Sequence, residues 1–179
     1  MCVLAACEST DSEPEPETTA AATEVTEPLE EAPPAPEEVT DVDADSLPRA
    51  LREHPGRVLL VNVWATYCAP CVEEMPELVS VGRRYRQRGL GLMLISADQP
   101  ARRGAALVFL RGQGAPFPSY IRSGPEERFN RTLEPRWSGE LPATLLLDAD
   151  RRVVHFWERP VDVEMLRPAI ENALAAGPT

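Results

Sequence analysis

Two apolar runs separated by an amphipathic segment limit the fold of this chain more than any other sequence feature. Residues 57–64 are rich in valine and lie between Pro-Gly and Cys-Ala-Pro-Cys, which is typical of a strand buried on both faces. Residues 72–88 carry apolar side chains near helical spacing, with glutamates early and arginines late, so their charges complement a helix dipole. Gly89 ends this helix, and residues 90–97 form a second apolar run. This order predicts one βαβ unit.

The remaining patterns add helices and a hairpin to this unit. We predict a short helix capped by Ser46 and closed at His54, helices over residues 100–110, 126–133 and 163–175, and strands over 143–147 and 153–157. A loop after the second of these helices leads to a short stretch at 120–121. Because the connection between the last two strands is short, we expect them to pair antiparallel. The sequence therefore predicts an α/β domain in which helices flank a central mixed β-sheet, in three layers.

The first 45 residues differ in composition from the rest of the chain. They hold 14 of the 29 acidic residues and six prolines, with no basic and no aromatic residue, so the formal net charge of −11 arises here. Such a segment cannot bury enough apolar surface to offset its chain entropy. We predict a disordered acidic linker over residues 8–45 and one folded domain over residues 46–179.

Residues 1–7 end in Leu-Ala-Ala-Cys, which resembles a bacterial lipobox whose cysteine, here Cys7, carries the lipid. An extended, self-repelling linker after it is suited to holding a domain away from a membrane. A random apolar start and a merely solvating tail are the alternatives. If Met1 is the true start, we expect a cytoplasmic protein; if the gene begins upstream, we expect a periplasmic lipoprotein.

Several classes of function are excluded by composition. The chain contains no lysine, so it cannot form a lysine Schiff base or use a phosphate-loop lysine. No apolar run approaches the about 18 residues of a membrane span, so we expect membrane contact only through a lipid. We interpret the arginines near residue 86 as a solvated helix end, and we expect no nucleic-acid partner.

The chemistry of the chain is predicted at Cys68 and Cys71. Both lie where a buried strand passes into a helix, and the free amides and dipole at a helix N-terminus stabilise a thiolate. Cys68, ahead of the helix, is the predicted nucleophile, and Cys71, one turn inside, is the resolving thiol. Pro70 restricts the turn between them.

Two other uses of this cysteine pair have less support. A zinc site needs further ligands, and the remaining candidates, Cys2, Cys7, His54 and His155, lack metal-ligand spacing. A purely structural disulfide that closes so short a loop contributes little stability through chain entropy. We therefore predict redox activity, with no metal and no cofactor.

Residues 61–78, with Trp-Ala-Thr-Tyr-Cys-Ala-Pro-Cys at their centre, resemble the active-site stretch of thioredoxin-fold proteins of the exported TlpA/ResA/DsbE-like branch. Residues 141–148 resemble the second signature of that family. The resemblance covers about residues 46–175. It implies a thioredoxin fold in which a cis-proline, here Pro142, packs beside the cysteines and presents its backbone to a partner.

The resemblance also implies roles for neighbouring residues. We predict that a substrate protein contacts Trp64, Tyr67, Pro70, Leu141 and Pro142. Trp64 matches the family's tryptophan that packs near the cysteines, and a core position is compatible with that match. Tyr67 replaces the commoner tryptophan of the family.

Glu74 matches a glutamate near the thiols that influences their protonation. Burial would raise its pKa and let it pass protons to Cys71; stabilisation of the helix N-terminus is the alternative role. Asn62 stands where general thioredoxins carry a buried acid.

The resemblance implies a thiol-disulfide oxidoreductase that acts on thiols or disulfides of exported proteins, such as apocytochromes. The sequence does not fix the oligomeric state, for which we expect a monomer. It favours a reductive role, with electrons supplied by a membrane thiol transporter. A disulfide-donating oxidant, a non-catalytic binding or chaperone module, and a peroxide reductase are the alternatives. The residues between the cysteines do not fix the direction, because it depends on the reduction potential.

Overall fold

The computed structural model describes residues 39–115 and 119–176. The strands in these residues are β1 (Val39–Val42), β2 (Val58–Trp64), β3 (Leu90–Ser96), β4 (Ser119–Arg122), β5 (Ala143–Leu147) and β6 (Val153–Trp157). The helices are α1 (Leu47–Glu53), α2 (Ala69–Tyr85), α3 (Arg103–Gly112), α4 (Glu126–Leu133) and α5 (Val163–Ala175), with 3-10 turns at Arg86–Arg88 and Pro100–Arg102. None of these helices combines the length and apolarity needed to cross a bilayer.

The strands form one mixed sheet in the order β1-β4-β3-β2-β5-β6. The first four strands in this order run parallel, whereas β5 pairs antiparallel with β2 and β6 pairs antiparallel with β5. Every residue of β2, β3 and β5 is buried. Because successive side chains of a strand point to opposite faces, both faces of the sheet centre are covered. The predicted three-layer α/β architecture is confirmed.

Strand β1 corrects the predicted domain boundary. Val39 and Val42 are buried, and β1 pairs in parallel with β4 at the sheet edge. The guanidinium of Arg103 donates to the Val39 carbonyl and pairs with the Asp41 carboxylate. Val39 and Val42 are the two residues of β1 that the fold buries. The acidic composition around them indicates a linker, so the composition did not predict this strand. Residues 8–38 of the predicted linker and the sequence around Cys7 lie outside the described residues.

The entry into α1 also differs from the prediction. Ser46 precedes the helix, but its side chain does not cap it. Instead the Asp43 carboxylate accepts hydrogen bonds from the amides of Asp45 and Ser46, at 3.1 and 2.8 Å. The Ser46 hydroxyl in turn accepts from the Asp43 amide at 3.0 Å. This turn connects β1 to α1.

Helix α2 begins at Ala69, three residues before the predicted start, and Cys68 is its N-cap residue. Pro70 therefore lies in the first turn, where its missing amide costs no hydrogen bond. Pro76 lies inside the helix, which continues through it to Tyr85. The early start places the whole Cys-Ala-Pro-Cys motif at the helix N-terminus.

Candidate redox site

Cys68 and Cys71 are joined by a disulfide, with their Cα atoms 5.3 Å apart. Cys68 is 8% exposed and Cys71 is fully buried. The Cys68 Sγ accepts a hydrogen bond from the Cys71 amide at 3.3 Å, so it lies against the free amides at the start of α2. Those amides and the helix dipole stabilise negative charge on this sulfur. The pair can store two electrons as thiols and release them by forming the disulfide.

The cis peptide bond predicted before Pro142 is confirmed at Leu141–Pro142. Strands β2 and β5 pair antiparallel with Val63 opposite Ala143, so this bond lies at the end of β2 from which the Cys68 loop departs. Pro142 is buried and Leu141 is half-buried. The sheet register therefore brings together two motifs that are more than 60 residues apart in the chain.

The other residues predicted to contact a substrate differ in exposure. Tyr67, next to Cys68, is 66% exposed, and Pro70 is half-buried. Trp64 is fully buried, and its ring packs against Phe109 of α3 with the ring centroids 4.9 Å apart. The prediction that Trp64 contacts a substrate is therefore wrong for this structure, because α3 covers its ring and makes it a core residue beneath the loop.

Glu74 is a buried carboxylate one helical turn beyond Cys71, and only 6% of it is exposed. One carboxylate oxygen accepts from the Asn62 amide group at 2.9 Å, and the other accepts from the Val161 backbone amide at 2.8 Å. Burial raises the pKa of Glu74, the two hydrogen bonds partly oppose this, and the charge of Glu77 adds to it. The predicted burial and raised pKa are thus confirmed.

Asn62 connects Glu74 to strand β5. Its amide group also donates to the Thr144 hydroxyl at 3.0 Å, and Asn62 and Thr144 are opposite each other in the sheet register. The Asn62 Oδ1 atom is buried and has no hydrogen-bond partner among the described residues. General thioredoxins carry a buried acid at this position. This chain carries Asn62 there, and its amide group binds the carboxylate of Glu74 on α2.

The sequence analysis missed Asp98, which is 1% exposed and lies just beyond β3. Its carboxylate accepts from the amide and the hydroxyl of Thr66, two residues before Cys68, at 2.9 and 2.7 Å. A signal was available, because the carboxyl ends of neighbouring parallel strands meet at one edge of a sheet. An acid after β3 is therefore expected near the loop that follows β2.

Within residues 39–115 and 119–176, no three His, Cys, Asp or Glu side chains are grouped so that they could hold a metal ion.

Solved structures with a similar fold include proteins described as thiol-disulfide exchange proteins. A protein described as the thiol:disulfide interchange protein DsbE of Chlorobium tepidum superposes with a TM-score of 0.56 and 27% identity, covering 67% of this chain and 82% of that one. A secreted thiol-disulfide isomerase of Corynebacterium glutamicum superposes with a TM-score of 0.60 and 21% identity, covering 66% of this chain and 71% of that one. The second likeness shows the shared fold alone.

Curated relatives include the thiol-disulfide oxidoreductase ResA of Bacillus anthracis, which is 28% identical over 116 residues. That match covers 65% of this chain and 62% of the relative. The ResA protein of Halalkalibacterium halodurans is 28% identical over 114 residues, covering 64% of this chain and 60% of the relative. The chain thus spans somewhat less than two thirds of the length of these relatives.

The family model described as Redoxin matches residues 24–174, which is most of the chain. The match includes both cysteines of the disulfide, the buried Glu74 and the cis Leu141–Pro142 bond. The chain therefore belongs to the Redoxin family.

Proposed function

We propose that this protein is a thiol-disulfide oxidoreductase whose working group is the Cys68–Cys71 pair. The observation that carries the proposal is the placement of both sulfurs at the N-terminus of α2, with the Cys68 Sγ against the Cys71 amide. A thiolate is stabilised there, and a thiolate is the form that attacks a disulfide. The names of the ResA and DsbE relatives support the same chemistry.

In the reduced protein, the Cys68 thiolate attacks one sulfur of a partner disulfide, and the other partner sulfur leaves as a thiolate that takes up a proton. Cys71 then loses its proton and attacks Cys68 Sγ, which releases the second partner sulfur as a thiol. The partner gains two electrons and two protons, and Cys68–Cys71 becomes the disulfide seen in the structure. A dithiol donor must return the pair to its reduced form.

Glu74 is the group that we propose accepts the proton of Cys71. It lies one turn beyond Cys71 on the same helix, and burial raises its pKa, which makes the carboxylate a stronger base than an exposed glutamate. Its oxygens bind Asn62 and Val161, which belong to other segments, and not the first amides of α2. This favours proton transfer over the alternative role of stabilising the helix N-terminus.

The direction that we propose is reductive, and the location is outside the cytoplasm. The resemblance of residues 61–78 to the exported TlpA/ResA/DsbE-like branch supports this direction and location, and the lipobox-like sequence ending at Cys7 supports attachment by a lipid. The acidic segment that follows suits a tether. A membrane dithiol protein is then the proposed donor, and a protein disulfide is the substrate; Tyr67 and the Leu141–Pro142 segment are the proposed contact surface.

The equilibrium reduction potential of the Cys68–Cys71 pair tests both the activity and its direction. The purified protein is equilibrated in glutathione or dithiothreitol buffers, and alkylated thiols are counted by mass spectrometry. A value below about −230 mV supports a reductant, and one near about −120 mV makes the protein a disulfide donor. If no reversible two-electron transition appears, the proposed activity fails and a binding module takes its place.

Single-cysteine variants test the two roles. We expect Cys71→Ser to attack a disulfide-bonded peptide and remain trapped in a mixed disulfide, because the resolving thiol is missing. We expect Cys68→Ser to form no such adduct at a comparable rate, because Cys71 is fully buried. The opposite pattern, read by mass spectrometry of the adducts, would reverse the assignment of nucleophile and resolving thiol.

A further inference from the structure

Asp98 is a buried acid that the proposed mechanism does not use. Besides its two bonds to Thr66, its carboxylate accepts from the Ser96 hydroxyl at 2.8 Å, and its own amide donates to that hydroxyl at 3.1 Å. The nearest cation is that of Arg102, a half-exposed side chain whose Nε lies 3.8 Å from Asp98 Oδ1. Four contacts therefore fix this carboxylate between the end of β3 and the loop after β2.

The bonds from Asp98 hold the loop that leads to Cys68. Thr66 is bound through both its amide and its hydroxyl, which fixes its backbone as well as its side chain. One residue before Asp98 and two before Thr66, the same two segments are joined again, because the Ala97 amide donates to the Trp64 carbonyl at 2.7 Å. The Cys68 amide then donates to the Ala65 carbonyl at 3.1 Å, which closes a tight turn.

The position of this turn decides where the Cys68 sulfur lies. Cys68 is the N-cap residue of α2, and its Sγ meets the Cys71 amide only while its backbone keeps this extended conformation. The stabilisation of an anion by a helix N-terminus falls off within the first turn. A small displacement of the loop therefore weakens the stabilisation of a Cys68 thiolate.

We propose that Asp98, acting through Thr66, is a positioning residue for Cys68: it holds the loop so that the Cys68 sulfur stays against the free amides of α2 and remains reactive as a thiolate. This inference rests on the proposed function, in which Cys68 is the attacking thiol. Asp98 contacts Thr66 and not the sulfur, so its effect is transmitted by the backbone between them. Other charged groups also bear on the ionisation of Cys68. They are the Arg102 guanidinium beside Asp98 and the carboxylates of Glu73 and Glu74 on α2.

Thr66→Val tests this contact because valine keeps the shape of threonine but its side chain cannot donate to Asp98, which leaves only the hydrogen bond from the backbone amide. Ser96→Ala is the matched control, since it removes a hydroxyl donor to the same carboxylate outside the Cys68 loop. Thr66→Ser keeps the hydroxyl and serves as the rescue variant. Each reduced protein is alkylated with iodoacetamide from pH 4 to 9, and modification of Cys68 and Cys71 is followed separately by mass spectrometry.

We expect Thr66→Val to raise the pH midpoint of Cys68 alkylation by about half a unit, which slows alkylation on the acid side about threefold. Its glutathione equilibrium should shift toward the disulfide by a similar factor, because the reduced form loses thiolate stabilisation. Thr66→Ser should restore the wild-type midpoint. Ser96→Ala should lower the melting temperature but leave the midpoint in place.

A midpoint that is unchanged in Thr66→Val, with melting temperatures lowered equally in Thr66→Val and Ser96→Ala, would show that Asp98 only stabilises the fold and would overturn this inference. If Thr66→Val and Ser96→Ala shift the pH midpoint of Cys68 alkylation equally, the effect of Asp98 is not transmitted through Thr66, and the inference is overturned. Preferential alkylation of Cys71 in the wild-type protein would instead overturn the proposed function together with the inference that rests on it. The two failures are therefore distinguishable.

Discussion

Two buried carboxylates flank the cysteine pair, and they are held differently. Asp98 binds the loop before Cys68 and accepts three hydrogen bonds from two residues, with an arginine close by. Glu74 follows Cys71 by one turn and accepts two hydrogen bonds, with the charge of Glu77 as an unfavourable neighbour.

The difference separates a structural acid from one suited to exchange a proton. The three donors to Asp98 tie the end of β3 to the loop before Cys68, so its bonds fix the surrounding chain. A desolvated carboxylate with fewer donors and a nearby like charge ionises less readily, and the pKa of Glu74 is accordingly raised. Burial alone therefore does not identify a catalytic acid; the donors around the carboxylate must be counted.

The largest effect that we predict is on stability. Asp98→Ala leaves the Thr66 amide and two hydroxyls without their acceptor, and we expect it to lower the free energy of unfolding by about 3 kcal/mol. Urea denaturation of the oxidised protein measures this. Asp162→Ala, which removes a side chain that accepts one amide at the N-cap of α5, is the control and should cost about 1 kcal/mol. If both substitutions lower the free energy of unfolding equally, Asp98 contributes no more to stability than an ordinary N-cap acid.

A smaller effect is predicted on the rate of resolution. Glu74→Gln cannot take the proton of Cys71, and we expect release of the partner from the Cys68 mixed disulfide to slow about tenfold near neutral pH. Single-turnover release of a labelled peptide measures this rate. Glu73→Gln changes an exposed glutamate next to Glu74 on α2 whose charge is not among the causes of the raised Glu74 pKa, and it should leave the rate nearly unchanged. If both variants behave alike, Glu74 is not the proton acceptor.

The smallest effect is a dependence of stability on pH. Because its folded-state pKa is raised, Glu74 keeps its proton in the folded protein at pH values where the unfolded chain, with a glutamate pKa of about 4.3, has lost it. The stability of the wild type relative to Glu74→Gln should therefore fall as pH rises from about 4.3 to the raised pKa and then level off. Urea denaturation of both proteins from pH 4 to 8 measures this difference. A difference that stays constant, or rises with pH, would contradict the raised pKa.

Much of the fold and the centre of the site could be predicted from the sequence. The buried strands, the βαβ unit and the hairpin follow from local periodicity and turn residues, and the placement of Cys68 at a helix start follows from the order of strand, motif and helix. Strand β1 could not be predicted in this way, because Val39 is buried only by pairing with the strand at Ser119, far along the chain. The packing of Trp64 against Phe109 could not be predicted from local periodicity, because Phe109 comes from another helix.

The sequence by itself determined where the reactive sulfurs lie, because two cysteines spaced three residues apart at the start of a helix are placed by local backbone geometry. It also determined that Leu141–Pro142 belongs with them, through the family resemblance. Only the tertiary structure decided how the two nearby acids are held. Asp98 accepts a hydrogen bond from Thr66, 32 residues away in the chain, and Glu74 accepts one from Val161, 87 residues away. The physical reason is that the charge of a buried carboxylate depends on donors that folding brings in from distant segments.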